Sequence, residues 1–205
     1  MLSFLTTPIP RTRTATHNPL MTEDGQTSIH FFANDPSAKY GMKTRVKPGF
    51  TVHVPPMHWH KYQTETFQIH SGTMRATLEG SDQTIAAGES ITIAPGQRHT
   101  FINPSDTEPM VMSTGLDPVE RERDEAFFRN LYCYLDDCRK AGRAPHVAQL
   151  MLFLYFFDCY PALPGPKAVS QPLSQVLVFV VGVVVGKWLL GFEETYPEYY
   201  QQKVE

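Results

Sequence analysis

The stretch from His58 to Asn103 constrains the fold of this chain more than any other. It runs His58-Trp59-His60, four residues, Glu65, six residues, Gly72, and then passes Gly88, Pro95-Gly96 and His99 to Asn103. An extended strand alternates its side chains between two faces, so His58 and His60 point the same way. Glu65 follows a short turn and swings back beside them from the next strand. His99 arrives on a later strand, after the Pro95-Gly96 turn. Three imidazoles and one carboxylate converging from adjacent strands make a ligand set for a divalent transition metal.

The surrounding sequence is patterned for the same architecture. Ile29-His30-Phe31-Phe32 is a short β-rich run stopped by Asn34-Asp35-Pro36. Met42–Val46 alternates, Pro48-Gly49 turns, and Phe50–Val54 alternates again before Pro55-Pro56 delivers the chain to His58. Thr66–His70, Thr73–Leu78, Ile91–Ile93, Thr100–Ile102 and Met110–Ser113 supply further strands. Short strands with a turn every eight to twelve residues or so are what an antiparallel barrel requires.

At these residues the chain resembles the cupin superfamily, a small antiparallel β-barrel. The first cupin motif is matched at His58, His60, Glu65 and Gly72, and the second at Gly88, Gly96, His99 and Asn103. The spacing between the motifs, with 15 residues between Gly72 and Gly88, is that of single-domain cupins. Two positions depart from the pattern. Ala94 stands where a proline is expected, with Pro95 one place late, and Val52 stands where a glycine is expected. Both fall in turns and neither is a ligand. The expected fold is mainly β: a single cupin, an antiparallel β-barrel or jelly-roll, with a strongly apolar α-helical extension. The expected organisation is an N-terminal arm over 1–28, the barrel over 29–116 and the helical extension over 117–205.

Composition excludes several functions. A net charge of −3, with no basic run interleaved with aromatics, gives no footprint for nucleic acid. Cys133, Cys138 and Cys159 are odd in number and lack CxxC spacing, which argues against a disulfide framework or a second metal site. They read as buried thiols of an intracellular protein. At the N-terminus Leu2, Phe4 and Leu5 form too short an apolar stretch for a signal peptide, and Arg11 and Arg13 follow rather than precede it. This segment reads as an arm wrapping the barrel or as disorder, and the protein as one that is not secreted.

At Leu116 the pattern changes. Asp117-Pro118-Val119-Glu120 has the form of a helix start, Phe127, Leu131, Tyr134, Leu135 and Cys138 recur at helical spacing, and Gly142 closes the element. Two apolar segments follow, Val147–Phe157 and Val176–Phe192, separated by Pro161 and Pro164-Gly165-Pro166 as in a helical hairpin. Neither cleanly reaches the twenty or so apolar residues that span a bilayer. Gly182 and Gly186 have the small-xxx-small spacing that lets helices approach closely. Tyr196, Tyr199 and Tyr200 stand where an interfacial aromatic belt would be. A peripheral or re-entrant membrane contact fits these features, and so does a hydrophobic homodimer or acyl-chain surface.

The barrel followed by this tail is similar to the fungal cupin-domain oxidoreductases of clusters that make alkylated salicylaldehydes such as sordarial, virensol and flavoglaucin. The narrower likeness rests on Gly186-Lys187-Trp188-Leu189-Leu190-Gly191 and the Tyr-Pro-Glu-Tyr ending. The resemblance implies a metal-dependent oxidoreductase of secondary metabolism. Its small-molecule substrate would be a reduced polyketide aldehyde or alcohol, and its partners in the pathway a polyketide synthase and dehydrogenases.

The ligand set His58, His60, Glu65 and His99 suits one divalent metal ion, Fe(II) foremost, with Mn, Zn or Ni also compatible. Iron would support oxidation with O₂. Zinc or manganese would polarise a carbonyl as a Lewis acid, so a redox-neutral dehydratase or cyclase uses the same ligands. A non-catalytic accessory cupin docking on the synthase is the third reading. No organic cofactor is expected. By alternation Phe67 and Ile69 share a face with Glu65, and Phe101 and Asn103 share one with His99. Together they form an apolar pocket wall suited to an alkyl-bearing substrate. The same alternation turns His53 and His70 outward and brings His30 to the pocket rim.

Overall fold

The chain folds into two facing antiparallel sheets and a set of helices. In the computed structural model, residues 7–33, 35, 37–49 and 51–201 are described. Leu2, Phe4 and Leu5 of the expected arm, Asn34 and Pro36 of the first expected strand stop, and Phe50 lie outside the described residues. The first sheet has the order β1 (Leu20–Thr22), β2 (Thr27–Phe31), β3 (Met42–Val46), β10 (Met110–Asp117), β5 (Thr64–Ser71) and β8 (Ser90–Ile93). The second contains β4 (His58–His60), β9 (His99–Ile102), β6 (Thr73–Leu78) and β7 (Ser81–Ala86), in that order. This is the cupin jelly-roll that the sequence implies, carried by residues 17–125 as one compact unit.

Period-two burial fixes which faces meet. On β5, Glu65, Phe67 and Ile69 are buried, while Thr66 and Gln68 between them are half-exposed. Phe67 and Ile69 join Val46, Met74, Ala76, Ile85, Ile91, Ile93, Phe101, Met110 and Met112 in one core drawn from both sheets. Truncating a fully buried member such as Ile69 to Ala costs about 2–5 kcal/mol. Gly72, with φ of +73°, makes the β5–β6 turn, and a Cβ there would lie 2.8 Å from the Pro109 carbonyl oxygen. The motif glycine is therefore required twice over, by backbone conformation and by close approach.

Several expectations are corrected in this unit. Leu20–Thr22, within the expected arm, is an edge strand paired with β2, Leu20 standing opposite Ile29. Thr51–Val54 is a turn rather than a strand, and His53 is buried. With no ladder to impose alternation, its ring turns inward to the Glu23 carboxylate. His30 is exposed on the outer face of β2, stacked on Phe32, and not turned into the barrel. Asp117 is still paired with Thr64 as the last residue of β10, so it does not cap a helix. The helix α1 (Arg121–Lys140) begins only after it.

The second unit comprises the described residues of 1–16 and 126–205. Besides α1 from Ala126 onward it contains α2 (Val147–Phe156), a short strand β11 (Cys159–Pro161) and α3 (Lys167–Val178). The last continues without a break as a wider π-helix over Phe179–Leu190. The second apolar segment is thus one helix of 24 residues, Lys167–Leu190, long and apolar enough by length and composition to cross a membrane. It begins nine residues before Val176, since Pro172 is accommodated inside α3.

The side chains of α1 that are buried include charges, unlike the apolar stripe expected. Asp137 accepts hydrogen bonds from Thr12 N (2.8 Å), Thr12 Oγ1 (2.6 Å) and Tyr199 OH (2.7 Å). Tyr196 donates through its backbone N to Asn130 Oδ1 (2.8 Å) and through its hydroxyl to Gln149 Oε1 (2.6 Å). Tyr196 and Tyr199 are therefore buried anchors of the tail, not an interfacial belt. Cys133, Cys138 and Cys159 are buried free thiols.

Gly182 and Gly186 are also buried within the chain. A Cβ on Gly182 would fall 2.6 Å from the carbonyl carbon of Met151, and one on Gly186 2.9 Å from the Ala148 oxygen. The small-xxx-small pair lets the long helix lie against the α2 backbone, as the expected hairpin requires. Its outer side carries Val169, Leu173, Val176, Val180 and Trp188, all exposed.

Candidate metal centre

The two sheets bring four donors to one point. His58 and His60 stand on β4 and His99 on the adjacent β9, where His58 and His99 are register partners. Glu65 comes from β5, the strand next in sequence but in the opposite sheet. One donor atom from each residue lies within 4.8 Å of the others, and all four side chains are buried. Glu65 Oε2 is 3.0 Å from His99 Nε2 and 3.5 Å from His60 Nε2.

Backbone carbonyls aim two of the imidazoles. His58 Nδ1 lies 2.8 Å from the Pro56 oxygen, and His99 Nδ1 lies 3.0 Å from the Gln97 oxygen. A carbonyl only accepts, so each Nδ1 must carry the proton, and each Nε2 is left as the donor facing the centre. The turn before His99 is itself tied to the other histidine strand, with Gly96 N donating to the His60 oxygen at 2.8 Å.

Burial and mutual charge set the protonation. Burial, with the His99 and His60 charges, holds His58 down to about 3, so this ring is neutral. Burial acts to raise Glu65, but hydrogen bonds from His60 and His99 outweigh it and keep the carboxylate ionised. Burial acts to lower His99, yet its hydrogen bond to Glu65 and the carboxylate charge win, and its pKa is raised. A protonated His99 ring beside it offsets the carboxylate charge.

The donor set fits a divalent ion. Metal–ligand bonds near 2.1 Å put neighbouring donors roughly 3.0–3.5 Å apart, and the two Glu65 separations fall in that span. His58, neutral with its Nδ1 tied to a carbonyl, and the ionised Glu65 have the protonation states that a metal needs, whereas His99, with its raised pKa, gives up a proton to bind one.

The expected pocket residues are placed less uniformly. Phe67 and Phe101 meet with ring centroids 5.0 Å apart, and both, like Ile69, belong to the barrel core. Asn103 donates to the backbone oxygens of Glu108 (2.8 Å) and Lys47 (3.4 Å), so its amide holds a loop. Sequence reasoning missed Gln63, buried between the ligand strands. Its Nε2 donates to the Pro118 oxygen at 3.0 Å and to Asp124 Oδ1 at 3.2 Å. Burial pushes the Asp124 carboxyl up to about 6. Gln63 falls two residues before Glu65, a period-two offset that alternation could have flagged. The aiming carbonyl of Pro56 has no side-chain signature to find.

Comparison with known proteins places these features. The Cupin domain family profile matches residues 42–117. "Probable oxidoreductase virH" of Hypocrea virens is 31% identical over 189 residues, which cover 89% of this chain and 81% of that protein. "Oxidoreductase iacF" of Pestalotiopsis fici is 31% identical over 148 residues, covering 69% and 68% of the two chains. "Epoxidase atD" of Aspergillus terreus is 30% identical over 152 residues, 71% of this chain and 46% of its own.

Proposed function

The chain belongs to the family of cupin-domain oxidoreductases that includes virH and iacF, and from that premise we propose that it is a metal-dependent oxidoreductase of fungal secondary metabolism. The reading rests on one observation: four buried donors, His58, His60, Glu65 and His99, meet between the sheets within 4.8 Å of one another. The substrate proposed is a reduced polyketide aldehyde or alcohol on the way to an alkylated salicylaldehyde or salicyl alcohol. That class comes from family likeness and carries less weight than the site itself. The oxidoreductase and epoxidase names of the relatives support a redox reaction.

Iron(II), the ion favoured, would supply a redox-active Lewis acid with positions left open for substrate. His58, His60 and His99 would hold it through ring nitrogens, and Glu65 would add a hard anionic oxygen. Phe67 and Phe101, the apolar side chains expected to line the pocket, would exclude water and accept an alkyl chain. Zinc or manganese is compatible with the same mixed nitrogen and oxygen donors. That favours a second reading, a redox-neutral dehydratase or cyclase.

Oxygen separates the two. Oxidising an alcohol to an aldehyde removes two hydrogens and requires an acceptor such as O₂. The iron-loaded protein is expected to convert the synthase's reduced product in air and to stop under nitrogen. Equal turnover in both, to a product of unchanged oxidation level, would replace the oxidase with the dehydratase or cyclase.

The outer face of Lys167–Leu190 is proposed as a contact surface for a lipid membrane or a second copy of the chain. The glycine face is occupied by α2, so the contact would use Val169, Leu173, Val176, Val180 and Trp188.

A further inference from the structure

The segment Thr51–Pro56 is not in a sheet, yet it carries the carbonyl that aims His58. It is fastened at both ends. At its start Thr51 Oγ1 donates to Glu23 Oε2 (2.6 Å), Val52 N lies 3.3 Å from Glu23 Oε1, and His53 Nδ1 is 3.4 Å from Glu23 Oε2. At its end Thr100 Oγ1 donates to the Pro55 oxygen at 2.5 Å. Thr100 is the neighbour of His99 on β9, so this bond ties the strap to the strand carrying another donor. The next carbonyl, that of Pro56, receives His58 Nδ1–H.

We propose that Thr100 is a positioning residue for the metal centre, acting through the Pro55-Pro56 carbonyls on the His58 ring; this rests on the metal reading above. The Pro56 ring transmits the constraint because it fixes φ near −65° between the two carbonyls. Pinning the Pro55 oxygen therefore leaves the Pro56 oxygen only the rotation about ψ of Pro56, where a flexible dipeptide would have two free torsions. His99 uses the equivalent device, a carbonyl two residues upstream, but its carbonyl lies in a closed turn in which Gln97 N donates to the Ala94 oxygen at 3.1 Å. The His58 strap has no such turn at Pro55-Pro56, because neither proline has an N–H to give. The Thr100 hydroxyl supplies the missing tie.

The test is titration of the metal-free full-length protein with Zn(II), and with Co(II) followed by its visible absorption. Thr100→Val keeps the β-branched shape on the strand and removes only the hydroxyl. Loss of an outer-shell partner typically weakens metal affinity ten- to a hundredfold or so. Thr100→Val is expected in that range with an altered Co(II) spectrum, and Thr100→Ser is expected to recover the affinity to within about threefold. Pro56→Ala keeps the carbonyl but frees φ between the two oxygens, and is expected to weaken binding to an intermediate degree. It also serves if Thr100→Val does not fold. Metal affinity and spectrum unchanged in folded Thr100→Val, or in folded Pro56→Ala, would overturn the positioning role while leaving the metal centre intact. A wild-type protein that binds neither ion would instead overturn the metal reading itself.

Discussion

Glu65 Oε2 and His99 Nε2 lie 3.0 Å apart although 34 positions and two different sheets separate them. That hydrogen bond closes the barrel interior at the point where the other imidazoles arrive, and it holds the proton that a metal would displace.

Metal binding should therefore be proton-linked. The raised pKa of His99 means that below it the ring must lose a proton to serve as a donor, whereas His58 is already neutral above about 3. Zn(II) affinity is expected to rise with pH through the His99 titration and then level off. Calorimetry in buffers of different ionisation enthalpy would show a released proton on the low-pH side. Elemental analysis should find close to one metal per chain, and markedly less in His60→Ala. Equal metal content in the two proteins would remove the centre.

Glu23 sets an acid limit on stability. It is buried, and although burial raises a carboxyl, hydrogen bonds from His53, Thr51 and Thr27 prevail and bring it down to about 2. A depressed carboxylate pKa stabilises the fold above the unfolded value and loses that contribution as pH falls from about 4.5 to about 2. Glu23→Gln is expected to cost about 3 kcal/mol at pH 7, and the gap to wild type should close as pH falls toward 2. Urea unfolding of both proteins at several pH values would check this, and a gap constant with pH would refute it.

Gly182 should resist any side chain. Alanine there gains about 1 kcal/mol in helix propensity but drives a methyl into the Met151 backbone. Overpacking of this kind costs about 1–3 kcal/mol, and a backbone neighbour cannot rotate away. Gly182→Ala should lower the melting temperature, while Val169→Ala on the exposed face changes stability by no more than about 0.5 kcal/mol. A more stable Gly182→Ala would show that the close approach to α2 is absent in solution.

The exposed face of the long helix should govern how the protein behaves in solution. Leu173→Glu with Val180→Glu places charge among exposed apolar side chains without touching the α2 contact. Wild type is expected either to float with phosphatidylcholine vesicles or to sediment as a dimer, and the double variant to remain a free monomer. A wild type that is itself monomeric and ignores vesicles would rule out both contacts.

How far the chain could be read from its residues differs from one element to the next. On β5 the alternation of Glu65, Phe67 and Ile69 with Thr66 and Gln68 is a local property, because pleating alone sends neighbours to opposite faces. The spacing from His58 through Glu65 to His99 is likewise linear information, so the candidate ligands were legible in full. Which sheet Glu65 belongs to was not, since strands next in sequence need not be neighbours in space. His53 and Tyr199 turned inward because buried carboxylates, Glu23 and Asp137, wait for them on segments distant along the chain.

Sequence alone thus determined most of the barrel strands and the candidate donor set, whose patterns repeat over a few residues. The tertiary structure decided where the polar groups between them point. It sent the glycine stripe against α2, the tail tyrosines into the helical unit and the Pro56 carbonyl onto His58. Each depends on a partner far away along the chain, and periodicity carries no information about such a partner.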